Sequence, residues 1–549
     1  MTVWITRVPP TEARPGPLHG LTMAIKDNID LAGVPTTAGD PRSTTPAAES
    51  AFVVERLVEA GAVPVGKTNL DQYATGLVGT RSPYGACHSV FSAEHISGGS
   101  SAGSAVAVAS GEVDFALGTD TAGSGRVPAA FNGIVGIKPS KGLVSTSGVI
   151  PACRSLDCVT VFARDVATAR RAFEVMAVYD PADPYARELP RVAAKGAPLI
   201  GVPDRPLGLD PLHERAWLEA LDRAAEVGVV VPVDIGVLLE TADLLYSGPW
   251  LAERWLAFGD KLDDDPAVDP TVRSIVRRGA GLTASETFAG FDRLAALTRQ
   301  AQPLWTRIDA LLLPVTESHP TLAEVAADPV GVNNRMGRFT NMVNLLDLCA
   351  IAFPGPARED GLPFGVQLLA PAGHDDLVID LAATWLGEAV EERTPDGILL
   401  AVAGAHLSGE PLNHELVRRG ARLAFTSRTA RDYRMFVVEG PRPGVTRTLE
   451  PTDGPGVEVE VWRLPPAALA DFLTTVTPPL AIGPLDLADG RQVLGFLCTA
   501  DAADPSREIT AAGSWRNHLA PTRAAAGTGV VPGWWNAGES AVSRATGCG

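Results

Sequence analysis

ISGGSSAGSAVAVASGEVDFALGTDTAGSGRVPAAF, running from Ile96 to Phe131, holds two clusters rich in glycine and serine, joined by an apolar, alanine-rich connector. The first cluster, Gly98-Gly99-Ser100-Ser101-Ala102-Gly103-Ser104, has the composition of a flexible linker when taken alone. Its continuation does not. Ser104 to Ser110 is small and apolar, which predicts a buried helix entered through serine caps and through glycines that allow close backbone approach. The second cluster, Gly118 to Arg126, follows the apolar run Val113 to Leu117 and reads as a loop leaving a buried strand.

Two other readings of the clusters are weaker. Gly99-Ser100-Ser101-Ala102-Gly103 fits the G-x-S-x-G nucleophile elbow, with Ser101 as nucleophile, but that elbow needs an apolar strand before it. Ser92 to Ser97 is mixed and polar, and the elbow leaves the second cluster unexplained. A phosphate loop requires a Gly-Lys-Ser/Thr ending that neither cluster has, and Lys67-Thr68 lacks the preceding glycine spacing, so Lys67 is read as structural.

A GGSSxGS cluster followed by a GTDTxGSxR loop resembles the amidase signature family, whose members use a lysine, a serine in a cis peptide and a serine nucleophile. The lysine of that family lies upstream in an apolar-Lys-Asp-Asn turn, matched here by Ala24-Ile25-Lys26-Asp27-Asn28. The resemblance implies Lys26 as base, Ser100 as the cis serine and Ser124, 24 positions later, as nucleophile. The chemistry is sound on its own terms. A serine hydroxyl attacks only when a base takes its proton, and a lysine serves only if burial lowers its pKa. Ser100, placed between them, can relay the proton. The backbone N–H groups of Thr121, Ala122, Gly123 and Ser124, if turned inward, would form an oxyanion hole.

Further runs narrow the resemblance to allophanate hydrolases: Gly66 to Gly76, Gly79-Thr80-Arg81-Ser82-Pro83-Tyr84-Gly85, and Pro151 to Cys158, in which Asp157 is expected to fix the site loops and Cys153 and Cys158 to be core thiols. That resemblance implies hydrolysis of allophanate, a small-molecule substrate, to ammonia and carbon dioxide in an ATP-dependent route of urea breakdown. It also implies functional association with urea carboxylase, a homodimer, and neither a metal nor an organic cofactor. A family helix supplies a tyrosine and an arginine to the substrate carboxylate; Phe291 to Gln300 is the candidate, with Arg299 as the arginine and no tyrosine in the run. Competing readings are a different amidase, either malonamidase-like or like the amidase component of a tRNA amidotransferase, and a non-catalytic scaffold from a truncated gene, against which the intact triad argues.

Composition sets the outer bounds. With 549 residues, 46% apolar and 20% charged, the chain can bury a large core and is expected to hold more than one domain. A net charge of −18 argues against nucleic acid as a partner. The six cysteines include no CxxC pair, which fits a reducing cytoplasm, and no apolar run approaches a membrane span.

The expected fold is an α/β amidase signature fold over residues 1–395, a mixed central sheet covered by helices, with the family's N-terminal helices missing or short. Ser50 to Ala60 is predicted helical and Val63 to Val65 a strand. Residues 181 to 310 have a mostly helical pattern. Leu311 to Pro314, Asn341 to Ala352 and Gly361 to Leu368 match the family's late strands and core. Arg393 to Gly397 is a turn-rich border. Residues 399–520 resemble the allophanate hydrolase C-terminal domain, which implies an α+β, γ-glutamylcyclotransferase-like fold. His406, in Gly404-Ala405-His406-Leu407-Ser408-Gly409, is the expected proton-transferring residue of a second step, decarboxylation of N-carboxycarbamate. Residues 521–549, rich in Gly, Ala and Ser, are expected to be a disordered tail.

Overall fold

Short apolar runs bounded by glycine, proline or polar turns become the strands of one large sheet in the computed structural model, which describes residues 2–189, 192, 197–390, 397–439, 442–448, 450–452 and 454–525. The first strands are β1 (Trp4–Arg7), β2 (Thr22–Lys26) and β3 (Val63–Thr68), and β4 (His88–Ser89) with β5 (Ser92–Ile96) makes a separate hairpin. They are followed by β6 (Phe115–Asp120), β7 (Val135–Lys138), β8 (Cys158–Ala163), β9 (Leu199–Pro203), β10 (Val229–Val233), β11 (Ala310–Pro314), β12 (Leu348–Pro354) and β13 (Gly365–Pro371). The sheet order is β1-β3-β2-β6-β8-β7-β12-β13-β11-β9-β10. Pairing is parallel for β3-β2-β6 and for β11-β9-β10, and antiparallel elsewhere.

The helices that matter for the site are α1 (Phe52–Glu59), α2 (Ala102–Ala109), α3 (Val127–Phe131), α4 (Val166–Met176), α5 (Pro211–Val227), α6 (Gly236–Ser247), α7 (Trp250–Phe258), α8 (Pro270–Arg277) and α9 (Ala284–Ala301). Alternation along the central strands divides them between two cores, because successive side chains of a strand point to opposite faces. Met23, Ile25, Phe115, Leu117 and Val161 join α1, α4 and α5 in one core; Ala24, Ala116 and Phe162 join α2 and α3 in the other. On the second face the small residues of α2 let its backbone settle close: a Cβ on Gly103 would lie 2.4 Å from the carbonyl oxygen of Val3.

Two local expectations need correction. Ser101 occupies the N-cap of α2 without a capping bond, because its hydroxyl donates to Thr119 O at 3.2 Å instead. The region 181–310 is not only helical: β9 and β10, each short and partly exposed, extend the sheet at its edge. The mixed, polar run before the first cluster contains β5, a partly exposed strand outside the main sheet.

By packing, the chain divides into residues 1–391 and 392–549. Of the turn-rich border read from the sequence, residues 393–396 lie outside the described residues. The second unit has its own five-stranded sheet, built from β14 (Ile398–Val402), β15 (Arg422–Arg428), β18 (Glu458–Leu464), β19 (Leu480–Asp486) and β20 (Gln492–Cys498) in the order β15-β18-β14-β20-β19; β16 (Tyr433–Val438) and β17 (Arg442–Arg447) form a ribbon. Val459 and Val461 enter one core and Trp462 and Leu464 another, as strand alternation requires. A helix from Trp515 to Ala525 closes the described part, so the expected tail begins as helix; residues 526–549 lie outside the described residues. Among the described residues no helix is long and apolar enough to cross a membrane.

Candidate active site

The adjacent parallel strands β2 and β6 bring the lysine turn and the second serine cluster side by side, with Ile25 in register with Leu117. Lys26 is fully buried at the end of β2. Its Nζ lies 2.7 Å from Ser100 Oγ and 2.7 Å from Thr119 Oγ1, and 3.5 Å from Thr119 O. All these partners are neutral oxygens. Burial therefore dominates, lowering the Lys26 ammonium to about 7, against the smaller upward pull of Asp71, Asp157 and Asp120.

Ser100 enters α2 after a cis Gly99–Ser100 peptide. Its carbonyl accepts from Asp71 N at 3.0 Å, while the Asp71 carboxylate accepts from the backbone N–H groups of Gly79 (3.0 Å) and Arg81 (2.9 Å). Position 99 must be glycine, since a Cβ there would stand 2.1 Å from Asp71 Oδ2.

The loop carrying Ser124 is held by buried charge. Arg126 donates through Nε and Nη2 to both oxygens of Asp120, each at 3.0 Å, and reaches Gln367 Oε1, Thr340 O and Asn344 Oδ1 at 3.1 to 3.2 Å. Burial alone would raise the Asp120 carboxyl, but the guanidinium pulls it below its ordinary value. Asp120 Oδ2 also takes Gly125 N at 2.9 Å. At the loop's other side Thr121 donates its hydroxyl to Asp157, which further accepts from Ala152 N and Cys153 N. Burial raises the Asp157 carboxyl to about 6 despite these donors. Among the described residues, the backbone N–H groups of Thr121, Ala122, Gly123 and Ser124 donate to no acceptor.

Ser124, 3% exposed, donates to Gly76 O at 3.5 Å and forms no direct hydrogen bond with Ser100 among the described residues. Gly76 ends a tight turn in which Tyr73 and Ala74 both adopt left-handed backbone conformations, φ 51°. The ring of Tyr73 stacks on Phe258 with centroids 4.7 Å apart, and its hydroxyl donates to Asp40.

The residue after Ala74, Thr75, accepts a 3.1 Å hydrogen bond from Arg254 Nη1. Arg254 is 1% exposed and lies 5.8 Å from the Tyr246 ring centroid, and its Nε has no partner among the described residues. Sequence reasoning missed it, although helical spacing places Arg254 on the buried stripe of α7 with Trp250, Leu251 and Phe258. A charged residue on an apolar stripe is the signal that would have found it.

The structure does not bring Arg299 to this site. It lies on the solvent side of α9, whose buried residues are Leu297 and Ala301, and donates to Gln302 Oε1 one turn away. Ser101 is spent between Thr119 O and Thr119 N, leaving no free hydroxyl for an elbow. Lys67 pairs with Asp27 at 3.2 Å and donates to Thr36 Oγ1. Cys153 and Cys158 are buried thiols. His406 belongs to the second unit, in a turn, with its ring between Phe472 and Phe496, centroids 5.2 and 5.4 Å away. Its Nε2 stands 3.5 Å from Glu415 Oε2; burial lowers its pKa and Glu415 opposes the shift.

Comparison with known proteins covers nearly all of the chain. Residues 6–379 match the family model described as Amidase, and residues 398–520 the model described as Allophanate hydrolase C-terminal domain. The urea amidolyase of Saccharomyces cerevisiae is 39% identical over 543 residues, covering 92% of this chain and 30% of that protein. The allophanate hydrolase structure from Kluyveromyces lactis superposes with a TM-score of 0.71 at 38% identity, covering 92% of this chain and 89% of that one. The urea amidolyase structure from the same yeast gives 0.71 at 37% identity, covering 92% and 33%. The chain thus spans about a third of the length of the urea amidolyases it matches.

The buried pair at the foot of the serine loop generates a stability prediction. Arg126→Gln leaves Asp120 buried without its cation and is expected to cost about 3 to 5 kcal/mol. Urea denaturation followed by tryptophan fluorescence checks it, and adding Asp120→Asn should recover part of the loss. Unchanged midpoints would show that the pair does not hold the loop.

Proposed function

The chain belongs to the amidase family, and from that premise we propose that it hydrolyses allophanate (urea-1-carboxylate), with Lys26, Ser100 and Ser124 as its catalytic residues. The reading rests on Lys26, a buried amine 2.7 Å from Ser100 with a pKa of about 7, so that a large fraction is neutral at physiological pH. In the proposed sequence neutral Lys26 takes the Ser100 proton, Ser100 takes that of Ser124, and Ser124 Oγ attacks the urea carbonyl of allophanate. The N–H groups of residues 121–124 receive the oxyanion. The tetrahedral intermediate collapses, the relayed proton leaves with ammonia, and water hydrolyses the acyl-enzyme to N-carboxycarbamate.

The substrate carboxylate needs a cation. Arg254 takes the role expected of Arg299, because its guanidinium is buried, has an unused N–H, and is tied through Thr75 to the turn that touches Ser124. Allophanate is preferred over malonamate or glutamine because the same chain carries the match to an allophanate hydrolase C-terminal domain. Allophanate is a carboxylated urea, so functional association with a urea carboxylase is part of the proposal, as is homodimerisation. A reducing, cytoplasmic setting accords with the free thiols of all the described cysteines. In the second unit we assign His406 to decarboxylation of N-carboxycarbamate, its imidazole giving the proton that replaces the departing carbon dioxide.

Ser124→Ala and Lys26→Ala are each expected to lower ammonia release from allophanate by at least a thousandfold. In the wild type kcat/KM should rise with pH as Lys26 loses its proton, about tenfold per unit below pH 7, and level off above it; a profile flat from pH 5 to 9 would exclude Lys26 as base. Arg254→Gln should raise KM for allophanate at least tenfold and affect neutral biuret less, whereas Arg299→Ala leaves both near wild type; equal losses on both substrates would remove Arg254 from carboxylate binding. In the full chain His406→Ala should release the first ammonia at the wild-type rate and accumulate N-carboxycarbamate, detectable by ¹³C NMR. Release of both ammonia molecules at wild-type rates would remove His406 from the second step.

A further inference from the structure

A cleft of about 140 Å³ opens behind Asp157, lined by Lys141, Arg154, Ser155, Asp183 and Arg187. Its carboxylates are already spent. Asp157 takes Thr121, Ala152 and Cys153, and Asp183 takes the backbone N–H groups of Thr146 (2.7 Å) and Tyr185 (2.9 Å) and the Thr146 hydroxyl (3.0 Å). Its cations are not. Among the described residues Lys141 makes no hydrogen bond or ion pair, the Asp347 carboxylate opposing at longer range the burial that lowers its pKa, and Arg154 faces only the Tyr185 ring, 5.8 Å from its centroid. Arg187 pairs with Asp347 through Nη1 at 2.7 Å, yet its buried Nε has no partner among the described residues.

We infer that this cleft is a binding site for a small oxyanion, separate from the serines. Two unpaired cations and an orphaned N–H call for a small oxyanion with several oxygens able to accept hydrogen bonds. A cleft of about 140 Å³ is large enough for carbonate or phosphate. Bicarbonate is the ligand assigned, because the proposed reaction liberates carbon dioxide; that identity, unlike the site, rests on the proposed function. The cleft also touches both halves of the catalytic region. Asp157 clamps Thr121 in the nucleophile loop, and Ser155 is held through its N–H and hydroxyl by Glu253, the neighbour of Arg254. A bound anion therefore acts on turnover from outside the substrate site.

Isothermal titration of the full chain with potassium bicarbonate, potassium phosphate and potassium chloride at constant ionic strength tests the site without substrate present, so its outcome is independent of the proposed reaction. Saturable 1:1 binding of bicarbonate, weaker phosphate and no chloride are expected. Lys141→Gln and Arg154→Gln, the latter exposed and with no bond to lose, should each weaken bicarbonate at least tenfold while keeping the wild-type thermal midpoint. Absence of saturable binding, chloride binding as tightly, or unchanged affinity in both variants overturns the site; tighter phosphate overturns the ligand. In allophanate assays bicarbonate should lower kcat without raising KM, and purely competitive inhibition would place it at the serines instead.

Discussion

An amine kept out of water without a carboxylate at bonding distance is the constraint around which the larger unit is arranged. Lys26 meets only hydroxyl and carbonyl oxygens, so nothing offsets its desolvation at close range. Everything near it respects that. Asp71, Asp157 and Asp120 stand close enough to be felt but are each engaged by other donors: backbone N–H groups for Asp71 and Asp157, a guanidinium for Asp120. A carboxylate moved into contact with Lys26 would restore the ordinary ammonium and, in the proposed reading, remove the base.

The neighbouring lysine shows the opposite solution with the same residue type. Lys67, on the strand beside Lys26, is equally buried yet sits 3.2 Å from Asp27 as an ion pair. Burial lowers both amines, and they differ in partner: neutral oxygens for Lys26, and for Lys67 the Asp27 carboxylate, which opposes the shift. Arg126 with Asp120 forms a second buried ion pair, below the Ser124 loop, where the remaining donors of Arg126 bind Gln367 on β13 and the segment 340–344, linking the loop to the far half of the sheet.

Much of this was legible in the sequence because it is local. The two serine clusters, the lysine turn and the small-residue helix are contiguous motifs, and their spacing and alternation mark α2, β6 and the two faces of the sheet. What escaped is what depends on distant pairing. β9 and β10 lie within a stretch whose surrounding helical pattern masks them, and β-structure there is decided by pairing: β9 with β11, about a hundred residues away, and β10 with β9. The arginine expected on α9 is exposed there, its guanidinium bound to its own helix end, while Arg254 sits on the preceding α7 stripe. Its place on an apolar stripe is legible from spacing, but its contact with Thr75, 179 positions away, is not. The serine caps expected for α2 failed for a similar reason, since Ser101 is recruited by Thr119 of the neighbouring strand.

The left-handed turn at Tyr73 and Ala74 leads directly into two consecutive residues with different duties: Thr75 holds the guanidinium of Arg254, and Gly76 holds the hydroxyl of Ser124. Successive Cα atoms are about 3.8 Å apart and their separation is covalently fixed. One peptide unit thus anchors both the guanidinium and the hydroxyl to which the proposed reading gives the carboxylate contact and the attack. In the proposed reading any shift of this turn moves both anchors together, so that the carboxylate contact and the attacking hydroxyl share one backbone support.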